Sequence, residues 1–383
     1  MEKISSCSSS AAFADTKPHY NILDGLRGVA ALMVLAYHVF EAFATSPTDQ
    51  WCNHGYLAVQ FFFILSGFVV GYAYDDRWKR MGTKEFFKRR LIRLHPMVVV
   101  GALLGVAAFF IQGSVQWDGT KVATSMVMLA MLCTLFMIPA VPGTGVEVRG
   151  NGELFPLNGP YWSLFLEYIG NILYALIIRR LSTRALSVLV AITGIGVACY
   201  AIGNGSGYGH VGVGWTMANH YLEAGFLCMM FCFSAGLLMS RVFKPVRIPG
   251  AFWLCSLGVV ALLVVPHLGG NDTMWINGLY DALCVIVFFP LLIWLGASGK
   301  TTDKKSTAIC KFCGDISYPV YVVHYPSMYL FYAWVWDNGL TFEQTWYVGL
   351  ALIIGNILLA YFFLKCYDEP VRKWLSKRYL AKK

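Results

Sequence analysis

Eleven unbroken apolar blocks constrain this 383-residue chain more than any other feature; they fall at 22–44, 56–74, 96–112, 121–140, 160–178, 184–203, 221–240, 251–267, 279–297, 317–336 and 346–366. Each is about twenty residues long, the length a helix needs to cross a hydrocarbon core of about 30 Å. The blocks are continuous rather than alternating, which excludes a transmembrane β-barrel. Only 13% of the residues are charged, against about 25% in a soluble domain. The expected fold is therefore all-α: a polytopic transmembrane helical bundle.

The charges between the blocks orient it. "TSPTDQWCNHG" after the first block has no Lys or Arg, whereas "DDRWKRMGTKEFFKRRLIR" after the second is strongly basic. The positive-inside rule places the basic loops, and with them the N-terminus, in the cytoplasm. Counting back from the basic tail "VRKWLSKRYLAKK" puts "RRLSTR" (179–184) inside and the loop 141–159 outside. The two counts agree only if residues 96–140 cross an odd number of times. The expectation is about ten spans, one re-entrant or interfacial segment within 96–140, and both termini cytoplasmic. Irregular backbone at membrane depth is tolerated beside a protein cavity, so the mismatch hints at one.

The net charge of +9 is spent on these topology signals, which argues against a nucleic-acid partner. The first nineteen residues are polar and Ser/Ala-rich without an apolar run before "AFAD"; they read as a disordered cytoplasmic tail rather than a signal peptide. Residues 20–375 form the membrane domain and 376–383 a basic tail. Most of the eleven cysteines (Cys133, Cys199, Cys228, Cys232, Cys255 and Cys284 among them) fall in apolar blocks and read as small buried hydrophobes. Cys310 and Cys313 form a lone CxxC in a basic loop, a weak metal signal, and no metal is expected.

The first block, "NILDGLRGVAALMVLAYHVFEAF", carries Asp24, Arg27, His38 and Glu41, and charge at membrane depth is costly enough to mark function. Arg27 and His38 are eleven residues apart, about three turns plus 20°, so both point from one face about 16 Å apart along the axis. Asp24 can pair with Arg27, and Glu41 lies one turn beyond His38. "FFKRRLIRLHP" places Lys88, Arg89, Arg90 and Arg93 at the cytoplasmic mouth; Arg90 and Arg93 share a helix face, and paired guanidinium forks suit phosphate. "NGPYWSLFLEYIGNILY" buries Glu167 and Asn171, and "DISYPVYVVHYP" buries Tyr318, Tyr321 and His324. A phosphate-binding mouth leading to a deep titratable His fits a long, phosphate-headed donor such as an acyl-coenzyme A. It also fits a proton-coupled transporter, since His/Glu/Asp chains relay protons.

Several of these stretches together resemble family 3 membrane acyltransferases, which include bacterial O-antigen and other surface-glycan O-acetylases. "LDGLRGVAALMVLAYHVF" resembles the family's Arg-x10-His signature through Arg27 and His38. "RRLIRLHP" resembles its RxxR element through Arg90 and Arg93, and "YWSLFLEY" its WSL-and-acid motif through Trp162, Ser163 and Glu167. "FFFILSGFVV", "ISYPVYVVHYP" and "YDEPVRKWL" follow in order. The resemblance implies an O-acyltransferase in the bacterial cytoplasmic (inner) membrane. It would move an acyl group, usually acetyl, from cytoplasmic acetyl-CoA to a hydroxyl at the opposite face. The acceptor would be a glycan, lipid-linked or small-molecule hydroxyl. His38 would be general base or acyl relay, with Arg27 fixing donor or charge beside it. Arg90 and Arg93 would hold the coenzyme phosphates, and Glu167 would orient His38 or the acceptor. Trp162, Ser163, Tyr318 and His324 would line the substrate site. Here the acid motif continues "EYIGN", so the acceptor side is expected to differ. The competing transporter class usually leaves Gly/Pro-broken segments in matching halves, and none is evident.

Overall fold

The computed structural model describes residue 17 and residues 19–380, and among them there are thirteen α-helices and no β-strand. The expected tail over 1–19 lies outside the described residues except at Lys17 and His19. Lys17 is tied down: its ammonium donates to the Tyr72 carbonyl at 2.6 Å and pairs with Asp76 at 2.9 Å.

Eight helical stretches are long and apolar enough to cross a membrane. Two helices set the frame. α1 (Asn21–Glu41) and α11 (Lys304–Asp337) run parallel. Near their starts Cys310 Sγ donates to the Asn21 carbonyl at 3.1 Å, and near their ends Trp336 Nε1 donates to the Ala42 carbonyl at 2.9 Å. They approach closely because α1 presents glycine: a Cβ on Gly28 would fall on the backbone carbonyl of Cys313, the small-residue packing that membrane helices use where apolar burial offers no drive. Asp303 caps α11, accepting from the Ser306 amide at 2.8 Å, so "GDISYPVYVVHYP" is the middle of a helix that starts thirteen residues before the apolar block does. The Cys310–Cys313 pair accordingly sits in the first turns of α11, buried against Gly25 and Gly28, and not in a loop as its basic surroundings suggest. Cys228, Cys232, Cys255 and Cys284 are buried as expected of small apolar groups, whereas Cys199 is exposed on the outer surface.

Call the two ends of the bundle the Arg27 end and the His38 end. α2 (Ala58–Tyr74) returns from the His38 end, where Tyr56 meets Tyr37, to the Arg27 end, where Tyr72 meets Tyr20. α3 (Thr83–Ile111) goes back up, and includes Pro96 without breaking. α4 (Thr124–Leu135) has twelve residues, about 18 Å. Its two flanks pack on one another at the His38 end, Trp117 N donating to Arg149 O and the Arg149 guanidinium to Gln112 Oε1, so α4 does not traverse the bundle. α5 (Tyr161–Leu176) descends to the Arg27 end, where Arg179 just beyond it stacks on Trp78. α6 (Thr183–Ile202) ascends and α7 (Tyr221–Val242) descends, ending with Arg241 paired to Asp75 at 2.6 Å. α8 (Ala251–Leu263) begins beside Gly25 and ends where Val265 accepts from His54. α9 (Met274–Leu283) and α10 (Phe289–Ser298) form one descending passage, joined by a π turn over Cys284–Phe288. α12 (Phe342–Phe363), started by a Thr341/Gln344 capping box, descends from the Phe40 ring into a second π turn, Leu364–Asp368, and then α13 (Glu369–Tyr379). Each π turn precedes a proline, Pro290 or Pro370, and a widened turn accommodates the missing amide and the ring. The described chain thus traverses the bundle ten times, and both of its described ends lie at the Arg27 end.

Candidate active site

Two cavities lie on either side of the bundle's middle. One, of about 460 Å³, opens at the Arg27 end; the other, of about 380 Å³, lies at the His38 end. Val59 of α2 and Tyr321 of α11 line both, so one layer of side chains separates them. α1 supplies a polar group to each: Arg27 to the first and His38 to the second.

The Arg27-end cavity is built from guanidinium groups. Arg27, Arg89, Arg90, Arg93 and Arg372 all line it, with Asp24 and Glu167 the carboxylates on its wall. Arg27 pairs with Asp24 at 2.9 Å, Arg89 with Glu85 at 2.7 Å and Arg372 with Asp368 at 2.8 Å. Arg90 reaches across from α3 to α5 and pairs with Glu167 at 2.8 Å; Ser66 donates to the same carboxylate oxygen at 2.8 Å. The Arg90 Nε is buried without a partner. Among the described residues Arg93 has no ion pair within 4 Å; its charged neighbours are the guanidiniums of Arg372 and Arg27 and, beyond ion-pair distance, the carboxylates of Asp24 and Asp368. Five guanidiniums therefore face four carboxylates, two of which stand behind the wall. A buried donor without an acceptor is costly, and a multiply charged anion would supply acceptors here.

The His38-end cavity holds a different set. His38 Nδ1 lies 2.7 Å from Glu41 Oε2. A carboxylate only accepts, so the imidazole donates through Nδ1, which in its neutral form leaves the lone pair on Nε2. Tyr332 donates to the same carboxylate oxygen at 2.7 Å and also lies 2.9 Å from the His38 carbonyl. Tyr325 packs edge-on against the imidazole, with ring centroids 4.8 Å apart. Trp117, Trp162, Trp215 and Trp336 stand around the cavity. Glu153, from the loop between α4 and α5, also faces it. Its carboxyl accepts from Tyr329, and burial pushes it up to about 7, against the pull of Tyr329 and Arg149. Arg149 is wholly buried behind it, 3.6 Å from the Tyr329 ring centroid and donating to the Pro156 carbonyl at 2.9 Å. This cation–π contact fixes the loop against α11.

The residues singled out from the sequence thus divide between the two cavities. Arg27, Arg90, Arg93, Ser163, Tyr318 and Glu167 line the first; His38 and Trp162 line the second. Two placements, those of Glu167 and His324, differ from expectation. Glu167 does not orient His38: the guanidinium of Arg90 holds it on the other side of the Val59–Tyr321 layer, and Glu41 takes the role. His324 does not line either cavity. It donates through Nδ1 to the Val320 and Tyr321 carbonyls at 3.0 and 2.9 Å and stacks behind His38, ring centroids 5.3 Å apart. Ser163 and Tyr318 make internal bonds, Ser163 to the Tyr321 hydroxyl at 2.6 Å and Tyr318 to the Leu94 carbonyl at 2.6 Å. Arg149 and Glu153 were missed. Three charges (Glu147, Arg149 and Glu153) in the Gly-rich "GVEVRGNGELFP" directly before the Trp162 motif are the signal that could have found them.

Comparison with known proteins bears on the family of the chain. A family pattern described as an acyltransferase domain, acyltransferase 3, matches residues 20–365. "Protein 2 in picA locus" of Rhizobium radiobacter is 35% identical over 183 residues, 45% of this chain and 90% of that protein. A Staphylococcus aureus protein provisionally named an O-acetyltransferase is 22% identical over 365 residues, 92% of this chain and 57% of that protein. The peptidoglycan O-acetyltransferase of Listeria monocytogenes is 33% identical over 81 residues, 20% of this chain and 12% of that protein. The chain therefore spans little more than half the length of its Staphylococcus relatives. No solved structure matches it. With the family pattern matched over nearly its whole length, the chain belongs to the acyltransferase 3 family.

Proposed function

We propose that this protein is a membrane O-acyltransferase that takes an acyl group, most simply acetyl, from an acyl-CoA in the Arg27-end cavity and gives it to an acceptor hydroxyl in the His38-end cavity. The observation that carries the reading is the pair of cavities sharing Val59 and Tyr321, guanidiniums on one side and a Glu41-held imidazole on the other. Basic segments 75–95, 179–184, 241–247 and 300–311 all fall at the Arg27 end, which supports placing that end, and both termini, in the cytoplasm. The ten traversals would then be ten spans, with α4 as the interfacial segment. In a bacterium this membrane would be the cytoplasmic one.

The coenzyme phosphates would lie among Arg27, Arg90 and Arg93, and the thioester would reach the Val59–Tyr321 layer. His38 Nε2 removes the acceptor hydroxyl proton as that oxygen attacks the thioester carbonyl. The O–C bond forms, the C–S bond breaks, and His38 returns the proton to the departing sulfur. Glu41 fixes the tautomer and favours the transient imidazolium. The names of the Staphylococcus and Listeria relatives support O-acetylation, and the tryptophan-rich cavity wall suits a glycan or other hydroxyl-bearing acceptor.

The test is acetyl-CoA-dependent thiol release by the purified full-length protein with acceptor-containing membranes. His38→Ala should abolish release while acetyl-CoA still raises the unfolding temperature. Parental release by a folded His38→Ala protein would overturn the catalytic assignment. Acceptor transport without a covalent product would replace the enzyme by the transporter reading.

A further inference from the structure

The donor cavity has a wall that the Arg27 and RxxR elements do not account for. Arg372, Ser376 and Leu380 line it. They are spaced four apart and so form one stripe along α13 and the residue that follows it. The π turn at Leu364–Asp368 makes this geometry. It directs Asp368 into the bundle, where its side chain is 1% exposed and pairs with Arg372 at 2.8 Å. One Asp368 oxygen is buried without a partner. Asp368 therefore steers Arg372 toward the cavity instead of leaving it in solvent. α13 packs against α3, the helix that carries Arg89, Arg90 and Arg93, so guanidiniums meet from α1, α3 and α13.

We propose that α13 is the third arm of the donor site and that Arg372 binds a phosphate of the coenzyme nucleotide, with Ser376 and Leu380 against the nucleotide at the rim. The inference rests on the acyl-CoA reading above and adds to it a recognition element outside the central bundle. Arg93 has no ion pair within 4 Å and Arg372 is held beside it by Asp368, so a dianionic phosphate between the two guanidiniums would make charge-assisted contacts with both. The 3′-phospho-ADP part of the donor would be the portion that α13 reads, and the acyl-pantetheine arm would not touch it.

The experiment titrates acetyl-CoA into the full-length detergent-purified protein by calorimetry, for the parent and Arg372→Gln, with S-acetylpantetheine, which lacks the nucleotide, as a second probe. The expected result is a loss of about tenfold or more in acetyl-CoA affinity in Arg372→Gln, the scale of one charged hydrogen bond, with no change toward acetylpantetheine. Equal acetyl-CoA affinity in both proteins would overturn the role of α13 and leave the donor reading intact. Failure of the folded parent to bind acetyl-CoA would overturn the donor reading and this inference with it. A second measurement does not depend on the folding of Arg372→Gln. In Ser376→Cys, alkylation of that one cysteine, followed by peptide mass spectrometry, should slow at saturating acetyl-CoA. An unchanged rate in a protein that binds acetyl-CoA would overturn the proposal.

Discussion

Replacing Glu41 by Gln isolates the contact on which the proposed chemistry depends most. The Glu41 carboxylate accepts from His38 Nδ1 and from Tyr332, both at 2.7 Å. Gln keeps the shape and one acceptor oxygen but loses the charge, and its amide can offer His38 an N–H instead. That alternative favours the imidazole tautomer with the proton on Nε2, which cannot act as base. A hydrogen bond to a charged group is worth about 1.5–3 kcal/mol, and carboxylate-to-amide change in a comparable His-orienting contact costs about 10⁴ in kcat. The expected loss is therefore between about tenfold and 10⁴-fold in kcat, with the acetyl-CoA KM unchanged because Glu41 is absent from the donor cavity. Tyr332→Phe removes the second contact and should cost about fivefold, the equivalent of about 1 kcal/mol. The assay is steady-state thiol release at saturating acetyl-CoA, with thermal unfolding to verify the fold. A folded Glu41→Gln protein with parental kcat would refute the argument that this carboxylate sets the base.

Glu167→Gln should behave differently: without the Arg90–Glu167 pair the donor-free protein loses thermal stability, and acetyl-CoA raises its unfolding temperature by more than it does the parent's. A smaller rise would contradict a donor cavity built on Arg90. Gly28→Ala pushes a methyl onto the Cys313 carbonyl and should cost about 1–3 kcal/mol by overpacking, together with activity, because the same α1–α11 interface sets His38 against Tyr332. An unchanged unfolding midpoint would show that the helices separate freely. For Glu153, whose carboxyl is raised from 4.5 to about 7 by burial, the neutral form is the one favoured by folding. Its contribution is fully present below pH 4.5 and is lost as pH rises through 7, in total about 3 kcal/mol. The unfolding midpoint of the parent should fall across that window relative to Glu153→Gln; parallel curves would contradict the shift.

Local periodicity made one helix of the site legible. Asp24, Arg27, His38 and Glu41 lie on α1, and the helical repeat alone puts them on one face at fixed heights, so the Asp24–Arg27 pairing and the place of Glu41 one turn beyond His38 could be read directly, whereas the assignment of Glu41 rather than Glu167 to the imidazole could not. The basic stretch before Pro96 likewise gave Arg90 and Arg93 on one face of α3. Charge counting asked for an odd number of crossings within 96–140 without saying which segment is short; the structure puts the twelve-residue α4 there, with its flanking loops in contact.

What the sequence could not supply were the contacts between helices remote from one another in the chain. Glu167 is seventy-seven residues from Arg90 and belongs to the Arg27-end cavity because of how α3 and α5 cross. The spacing of either helix is equally compatible with a Glu167–His38 contact. Tyr332 meets Glu41, and His324 backs His38, only because glycine lets α1 and α11 run close and parallel. Arg149 is drawn under Tyr329 by loop packing, and Arg372 turns inward because a π turn rotates the helix that bears it. The chain alone therefore determined which residue types exist on each helix face and at what height, because hydrogen bonding within a helix is local. Tertiary structure decided which faces meet, because that depends on side-chain volumes and partners brought from everywhere else along the chain.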